Sequence, residues 1–390
     1  MNEITLQSRP DPLFDGEVPS DVRTEELLVN MGPQHPSTHG VLRVVLVTDG
    51  ELILKATPHI GYLHRCAEKI AEHLPLRQFT PYTDRMDYLA SMNNNLGFAL
   101  AVEKLAGIEV PERAQYIRVL MAELNRIASH LVAVGTYGLD MGAFTPFLYC
   151  FREREWILDL FESVCGARLT YSYITIGGVR EDLPKGFVEN CEEFLDFFQY
   201  KIKEYNDLLS FNHIFVKRTG NVGVCPAETA VFYGLTGPCL RGSGVKWDLR
   251  KATPYCRYEE FDFDIPVGEG RYGTVGDCWD RYFVRVLEME QSIRIVRQAL
   301  KKLAEGPVQA KVPRTLKLPA GEIYHEIENP RGQLGFYIVS DGGGVPYRVK
   351  VRGPSFCNLS ILEELAQSCL LADVAAMIGS LDVVMGEVDR

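Results

Sequence analysis

A chain of 390 residues can bury a large hydrophobic core, and its 46% hydrophobic and 24% charged residues are ordinary for a globular protein. These values exclude a largely disordered or low-complexity chain. The formal net charge of -11 argues against binding to nucleic acid or directly to anionic lipid, because both need a basic surface.

The first residues show no targeting signal. The segment from Met1 to Phe14 has neither a basic start nor an apolar stretch, and it is not the arginine-rich, acid-free segment of an organellar presequence. No uncharged apolar run reaches the roughly 20 residues that cross a bilayer. We therefore expect residues 1–26 to form an N-terminal extension, and any membrane contact to be made through partner proteins.

The ten cysteines are dispersed along the chain. The closest pair, Cys357 and Cys369, is separated by eleven residues, and neither CxxC nor CxxH occurs. Iron–sulfur and structural zinc sites usually draw ligands from such close pairs. The pattern therefore indicates the scattered thiols of a cytosolic protein, and we expect no metal to be held by this chain.

The first structured segment is predicted to be β-rich. Leu27–Gly32 and Gly40–Leu54 are rich in Val, Leu and Ile, and a hairpin turn is expected at Thr48-Asp49-Gly50. From about Arg65 the apolar pattern becomes helical. There Asp84 is predicted to cap a helix, with Asp87 at its third position.

Longer helices follow. One is predicted from about Pro111, where proline suits the first turn. Its apolar face consists of Ile117, Leu120, Met121, Leu124, Ile127 and Leu131. Further helices are expected near residues 145–164, 186–209, 275–304 and 357–380.

A second β segment, Gly321–Arg352, is predicted to turn at Asp341–Pro346. The expected fold class is thus α+β, a largely helical core with β segments at both ends, in a single domain. Its parts are residues 27–64 (β-rich), 65–310 (helical core) and 311–390 (β segment and C-terminal helix).

A glycine-rich segment fits the dinucleotide pattern GxGxxG. Gly268–Gly273 follows the strand-like Phe261–Val267 and precedes a helix. A dinucleotide fingerprint also needs a second buried parallel strand, and Gly306–Thr315 does not have that character. The sequence therefore disfavours nucleotide binding here.

The loop Gly32–Gly40 is the better candidate for chemistry. It contains His35 and His39 together with two prolines and two glycines, which make it stiff. A histidine held there can donate a proton to a reacting carbonyl. The alternative, which the loop alone favours, is a tight turn whose histidines bind backbone carbonyls.

The loop begins a series of segments that resemble a known family. Gly32–Gly40, His59–Arg65 and Glu68-Lys69 resemble the start of the large subunit shared by respiratory complex I and [NiFe] hydrogenases. Later segments match the complex I branch: Tyr82–Tyr88, Ala122–His130, Thr145–Glu155, Gly244–Lys251, Asp280–Tyr282, Gly332–Leu359 and Gly379–Arg390. The resemblance covers nearly the whole chain from about Leu27, and it implies the hydrogenase-large-subunit-like fold.

The two branches differ in their cysteines. Hydrogenases hold nickel and iron with two cysteine pairs, and their segments correspond to residues 85–90 and 382–387 here. The four thiolates are replaced by Asp87, Ala90, Val384 and Glu387. Without them a soft-metal site is lost, so the resemblance points to the complex I branch and away from a hydrogenase.

In that branch the emptied metal site is a pocket for the quinone headgroup, which is the substrate. The resemblance places its two contacts on His39 and Tyr88, and the acidic partner of the histidine on Asp140. An N–H and an O–H at opposite ends suit a reaction that adds a proton to each carbonyl oxygen. The alternative for Asp140 is a helix cap beside two glycines.

The resemblance also places Arg65 close to a terminal [4Fe-4S] cluster that a neighbouring subunit holds. Many relatives carry a histidine near this cluster, and Thr170 stands at its place here. Because threonine does not titrate in this range, we expect the cluster's potential to depend little on pH. This departure also suits a low-potential quinone.

The implied protein is the quinone-site core subunit of a proton-translocating NADH:quinone oxidoreductase, peripheral to the cytoplasmic face of the bacterial inner membrane. Its expected partners are the iron–sulfur subunit, other peripheral-arm subunits and a membrane-arm subunit at the quinone channel. Two alternatives remain open. The same subunit can serve a complex fed by ferredoxin or another donor, or the chain can be a metal-free scaffold.

Overall fold

A computed structural model of the protein describes residues 26–390. The expected N-terminal extension and the segment assessed for a targeting signal lie outside this part, except for Glu26, which begins the first strand. The strands are β1 Glu26–Met31, β2 Arg43–Asp49, β3 Leu52–His59, β4 Ile174–Thr175, β5 Gly178–Val179, β6 Gly321–Asn329, β7 Gly332–Ser340 and β8 Arg348–Arg352.

The helices include several of only one turn. They are α1 Ala67–Ala71, α2 Leu76–Thr83, α3 Ser91–Ala106, α4 Glu112–Asp140, α5 Phe144–Cys165, α6 Phe187–Tyr205, α7 His213–Thr219, α8 Ala227–Phe232, α9 Gly237–Gly242, α10 Leu249–Ala252, α11 Cys278–Lys301, α12 Pro354–Leu359, α13 Leu362–Leu365, α14 Asp373–Leu381 and α15 Met385–Asp389. The α+β prediction is confirmed.

Strands β1, β2 and β3 form an antiparallel sheet. Alternate residues of β2 are buried, including Val44 and Leu46, because successive side chains of a strand point to opposite faces. The predicted hairpin is confirmed, with its turn between Asp49 and Leu52. The loop Gly32–Gly40 therefore lies between two paired strands.

The core of the molecule is built on α4, which packs against α5 and α11. All six apolar residues predicted for its inner face are fully buried. The helices predicted near residues 145–164, 186–209 and 275–304 appear as α5, α6 and α11, whereas the stretch 357–380 is divided among short helices. No helix in residues 26–390 is long and apolar enough to cross a membrane.

The second β segment forms a separate antiparallel sheet of β6, β7 and β8. Its two predicted boundaries and its turn are confirmed. Helix α3 packs against β6 and β7. The turn between β6 and β7, Pro330-Arg331, points into the space between α3, α4 and the C-terminal helices, where Arg331 is 1% exposed.

The helix cap predicted at Asp84 is wrong. Helix α3 begins at Ser91 instead, and the residues before it form an irregular segment. The Asp84 carboxylate accepts a hydrogen bond from the backbone of Ser172, and Asp87 pairs with Arg331. Both acids are therefore engaged with distant parts of the chain rather than with the start of their own helix.

The strand expected at Phe261–Val267 is also wrong. The backbone N–H groups of Asp262 and Asp264 donate to glutamine side chains of α11 and not to a neighbouring strand. In the glycine-rich segment that follows, the Asp280 carboxylate accepts from the N–H groups of Gly270 and Gly276. This arrangement occupies the amides that a phosphate would need.

A network of buried charges crosses the helical core. Arg241 contacts Glu288 on α11 and Glu328 on β6, and Arg250 contacts Asp248 and Glu123. All of these side chains are buried. Because each charge has a partner of opposite sign, the network satisfies groups that would otherwise be costly to remove from water.

Candidate functional site

The loop Gly32–Gly40 is held rigidly by its own contacts. Its centre is a single 3-10 turn, Pro36–Thr38, and the Thr38 hydroxyl lies within hydrogen-bond distance of the carbonyls of Pro33 and His35. Gly32 has φ +80, and a Cβ there would stand 2.2 Å from the carbonyl oxygen of Leu42. Only glycine fits this position.

The two histidines of the loop differ in environment. His35 is exposed, and its Nδ1 accepts a hydrogen bond from the Ser37 N–H, as a helix cap does. His39 adopts a left-handed conformation, with φ 50, and its buried Nε2 has no hydrogen-bond partner. His35 thus caps the turn through a backbone N–H and not through a carbonyl, as the alternative expected, and His39 keeps a buried polar atom without a partner.

Burial lowers the pKa of His39, since the charged imidazolium is less well solvated there. Asp382 opposes this shift and Arg331 adds to it. The neutral ring therefore predominates at neutral pH, with one nitrogen able to donate and the other able to accept.

Tyr88 lies on the irregular segment before α3 and is half-buried. Its ring lies against α15, where a Cβ on Gly386 would be 3.2 Å from Tyr88 Cε1. Burial and the negative charge of Asp87 raise the pKa of the Tyr88 hydroxyl, while Arg331 and Arg65 oppose this. The hydroxyl therefore keeps its proton at neutral pH.

Arg331 is the charge that His39 and Tyr88 share, because it lowers the pKa of both. Its guanidinium donates to Asp87 Oδ2 at 2.9 Å and to the Ser129 hydroxyl at 2.8 Å, and it lies 3.3 Å from Asp382 Oδ1. Its Nε is buried without a partner. A fixed cation thus lies near both predicted quinone contacts.

Three carboxyl groups, Asp87, Asp382 and Glu387, surround this guanidinium, and we call them the acid cluster. Asp87 and Glu387 stand at two of the positions where the resemblance places thiolates, and both are 0% exposed. The other two positions are apolar and buried. Across residues 26–390, no group of three or more His, Cys, Asp or Glu side chains is arranged to hold a metal ion.

Asp140 ends α4 beside the loop. Its Oδ1 accepts a hydrogen bond of 3.1 Å from the Ser37 hydroxyl. Burial raises the pKa of Asp140 to about 6, and the bond from Ser37 and the nearby His35 oppose the shift. Its direct pairing with His39 stays a prediction, since the hydrogen bond of Asp140 is with Ser37, the middle residue of the 3-10 turn.

Arg65 and Thr170 lie in a second region. Arg65 is exposed, and its guanidinium donates to the carbonyl of Arg85 at 2.5 Å. The neighbouring Asp84 accepts from the backbone of Ser172, two residues beyond Thr170. The segment 84–85 therefore bridges the two predicted residues, and Thr170 has a left-handed φ of 52.

Sequence reasoning did not identify Arg331 or Asp382 as site residues. Arg331 is a single residue in a turn between two strands, so no helical or strand periodicity marks it. Asp382 lies five residues before Glu387, in the same segment as the lost thiolates. That spacing was the available signal for Asp382.

The chain is similar to known proteins along most of its length. The family model described as respiratory-chain NADH dehydrogenase, 49 Kd subunit, matches residues 140–317 and 310–390. A relative from Chlorobaculum tepidum, named as a subunit of NADH-quinone oxidoreductase, is 54% identical over 96% of this chain and 94% of its own length. One of the same name from Desulforamulus reducens is 55% identical, over 94% and 99%.

A third relative, from Cytophaga hutchinsonii and also named as a subunit of NADH-quinone oxidoreductase, is 52% identical over 95% of this chain and 97% of its own length. These matches extend over almost the whole of both chains. They agree with the replacement of all four hydrogenase cysteines. The chain belongs to the 49 Kd subunit family of the respiratory-chain NADH dehydrogenase.

Proposed function

We propose that this chain is the quinone-site core subunit of a proton-translocating NADH:quinone oxidoreductase. Together with an iron–sulfur subunit it forms the pocket in which quinone is reduced and protonated. Its relatives are named as subunits of NADH-quinone oxidoreductase. The observation that carries the proposal is the unpartnered, buried Nε2 of His39, with Arg331 acting electrostatically on both His39 and Tyr88.

The chemistry of reduction fits these groups. Two electrons and two protons convert a quinone to a quinol, and negative charge develops on the carbonyl oxygens as the electrons arrive. His39 and Tyr88 each supply a hydrogen-bond donor, and Arg331 supplies positive charge that is already in place. Such preorganised groups stabilise developing charge most effectively away from water.

A [4Fe-4S] cluster held by the neighbouring iron–sulfur subunit would supply the electrons, and Arg65 and Thr170 are the residues of this chain expected beside it. All ligands of the cluster come from that neighbouring subunit and none from this chain. It attaches peripherally to the cytoplasmic face of the inner membrane, where a membrane-arm subunit lies at the quinone channel. Other peripheral-arm subunits deliver electrons from NADH.

Replacing Tyr88 by Phe tests the proposal. The change removes one hydroxyl and its proton, and loss of a positioned acid typically slows a reaction about 100-fold or more. We expect quinone reduction by the intact complex to fall by that order while the iron–sulfur clusters are still reduced by the electron donor. The matched control is Tyr200→Phe, on the exposed surface of α6.

Normal quinone turnover in Tyr88→Phe would contradict the proposal. A scaffold without a quinone site would give a different result again. The complex would then show no turnover that quinone-competitive inhibitors block. Inhibitor-sensitive turnover that is lost in Tyr88→Phe and kept in Tyr200→Phe supports a quinone site at Tyr88.

A further inference from the structure

The acid cluster contains more acids than nearby cations. Its three carboxyl groups, Asp87, Asp382 and Glu387, face two guanidinium groups, Arg331 and Arg285. All five side chains are buried or nearly so. An unbalanced charge is costly in such a place, so an added proton on one carboxyl restores neutrality.

The contacts show which carboxyl lacks a cation. Asp87 lies 2.9 Å from Arg331. Asp382 lies 3.3 Å from Arg331 and 3.4 Å from Arg285. Glu387 has no ion pair among the described residues, and its Oε2 accepts from the backbone N–H of Ser355 at 3.0 Å.

The other oxygen of Glu387 faces Asn329. Asn329 Nδ2 lies 3.3 Å from Glu387 Oε1 and 3.4 Å from Asp87 Oδ2, whereas the buried Asn329 Oδ1 has no partner. The two ends of an amide are assigned from their hydrogen bonds. Here the assignment is fixed by three acceptors, because Nδ2 also lies 3.4 Å from Asn94 Oδ1, and the Asn329 amide therefore links the two carboxyl groups, Asp87 and Glu387.

We infer that Glu387 is the protonated member of the acid cluster and that its proton restores the Tyr88 hydroxyl after quinone reduction. The second part rests on the proposed function. In that step Tyr88 gives its proton to a quinone oxygen, and the resulting phenolate takes a proton from Glu387. The carboxylate that forms is then opposed by Arg331, and no electron moves in the transfer.

The position of Tyr88 fits this role. Its ring lies against Gly386, the residue before Glu387, and it follows Asp87 in the chain. Burial raises the pKa of Glu387 to about 7, the negative Asp87 adds to the shift, and Ser355 and Arg331 oppose it. A group with this pKa both holds and releases a proton near neutral pH.

The groups that face Glu387 come from several elements. They are Asp87 before α3, Asn329 and Arg331 at the β6–β7 turn, and Ser355 on α12. Tyr88 and Asp382 act, like Glu387, on the Arg331 guanidinium. Asp87 is the charged group that raises the pKa of Glu387. Its removal should therefore lower the pKa of Glu387.

Infrared spectroscopy of the intact complex tests proton storage without turnover. As the pH is raised through about 7, we expect the C=O band of one protonated carboxyl to disappear. Glu387→Gln should remove this band. The control is Glu290→Gln on α11, an exposed residue whose carboxyl pKa is also raised by partial desolvation.

A second variant keeps the test valid if Glu387→Gln fails to assemble. In Asp87→Asn the band should remain and titrate at lower pH. A band that persists in Glu387→Gln, or that does not move in Asp87→Asn, overturns the assignment of the proton to Glu387.

The transfer to Tyr88 is tested separately by turnover. In Glu387→Gln we expect kcat for quinone to fall about tenfold or more with little change in KM, because the substrate contacts remain while the proton supply is lost. An unchanged kcat overturns the relay. If the wild-type complex reduces no quinone, the proposed function fails, whereas the band and its titration still decide where the proton is held.

Discussion

The Ser37 hydroxyl donates a hydrogen bond of 3.1 Å to Asp140 Oδ1, and this contact joins the loop to the end of α4. It connects two segments about 100 residues apart in the sequence. The loop that carries His39 is therefore positioned partly by an acid whose own pKa is about 6. Protonation of Asp140 removes the negative charge of the carboxylate and therefore weakens this hydrogen bond.

Asp140→Asn should change the pH dependence of quinone turnover. In the wild type the Asp140 carboxylate forms as the pH rises through about 6, so activity that depends on it should fall below that pH. The asparagine variant should lose this acid limb and be slower at neutral pH. The measurement is kcat/KM for quinone across pH.

Ser37→Ala is the matched control for that profile. It keeps the carboxylate but removes a hydrogen bond that lowers the pKa of Asp140. We therefore expect the acid limb to move to higher pH. An acid limb that is the same in all three proteins would show that Asp140 does not govern it.

Arg331→Met should destabilise the fold. The change leaves Asp87 and Asp382 without their shared cation, and the loss of one partner from a buried ion pair costs about 3–5 kcal/mol. The deficit should shrink at low pH, where protonated carboxyls no longer need the cation. Denaturant unfolding of the full chain measures it.

Arg348→Met serves as its control, since Arg348 pairs with Glu68 and Glu72 at the surface. Exposed pairs contribute at most about 1 kcal/mol. If both variants lose the same stability, the special role of the buried guanidinium is contradicted.

Asp84→Asn should stabilise the protein, but only above acidic pH. Burial raises the pKa of Asp84 from 3.8 to about 6, so the folded state binds this proton more tightly than the unfolded state. Stability is therefore lost as pH rises from about 4 through about 6, by about 3 kcal/mol at most. The variant avoids that loss.

The comparison is between melting temperatures at low and neutral pH. Relative to the wild type, Asp84→Asn should have a higher melting temperature at neutral pH and no such advantage at low pH. Asp262→Asn, an exposed acid, should show no such trend. A stability difference that is independent of pH would refute the assignment to Asp84.

Thr170→His should make the potential of the neighbouring cluster depend on pH. The wild type has no titrating side chain at this position, so its slope should be small. The histidine variant should approach one proton per electron, about 59 mV per pH unit. A β-branched residue is strained at φ 52, where histidine is better tolerated, so we expect the variant to fold.

Redox titration of the cluster in the complex across pH decides this prediction. Thr170→Ser, which introduces no titrating group, is the control. A steep slope already present in the wild type would mean that another group takes up the proton.

The sequence predicted the elements that local patterns mark. The period of apolar residues placed α4 and its buried face, and the turn residues placed the first hairpin. Elements held by distant contacts were predicted poorly. Asp84 has the composition of a helix cap, but its carboxylate binds Ser172, which no local pattern reveals.

Some residues of the candidate site were likewise expected from the sequence, and others were missed. His39, Tyr88 and Asp140 were expected from the resemblance, and their roles stay predictions. Arg331 was missed because a charged residue in a turn is usually exposed, and here the turn folds into the interior. The contact between Asp140 and Ser37 was missed because it depends on how the loop meets α4.

At the end of β6, two consecutive residues face different charges. Glu328 contacts Arg241 in the core network, and Asn329 contacts Asp87 and Glu387 in the acid cluster. Neighbouring side chains of a strand point to opposite sides, so one peptide unit separates the two systems. Few substitutions should therefore be tolerated at Glu328 and Asn329. A substitution at one of them that shifts the backbone also moves the side chain of the other. We expect the two positions to change together.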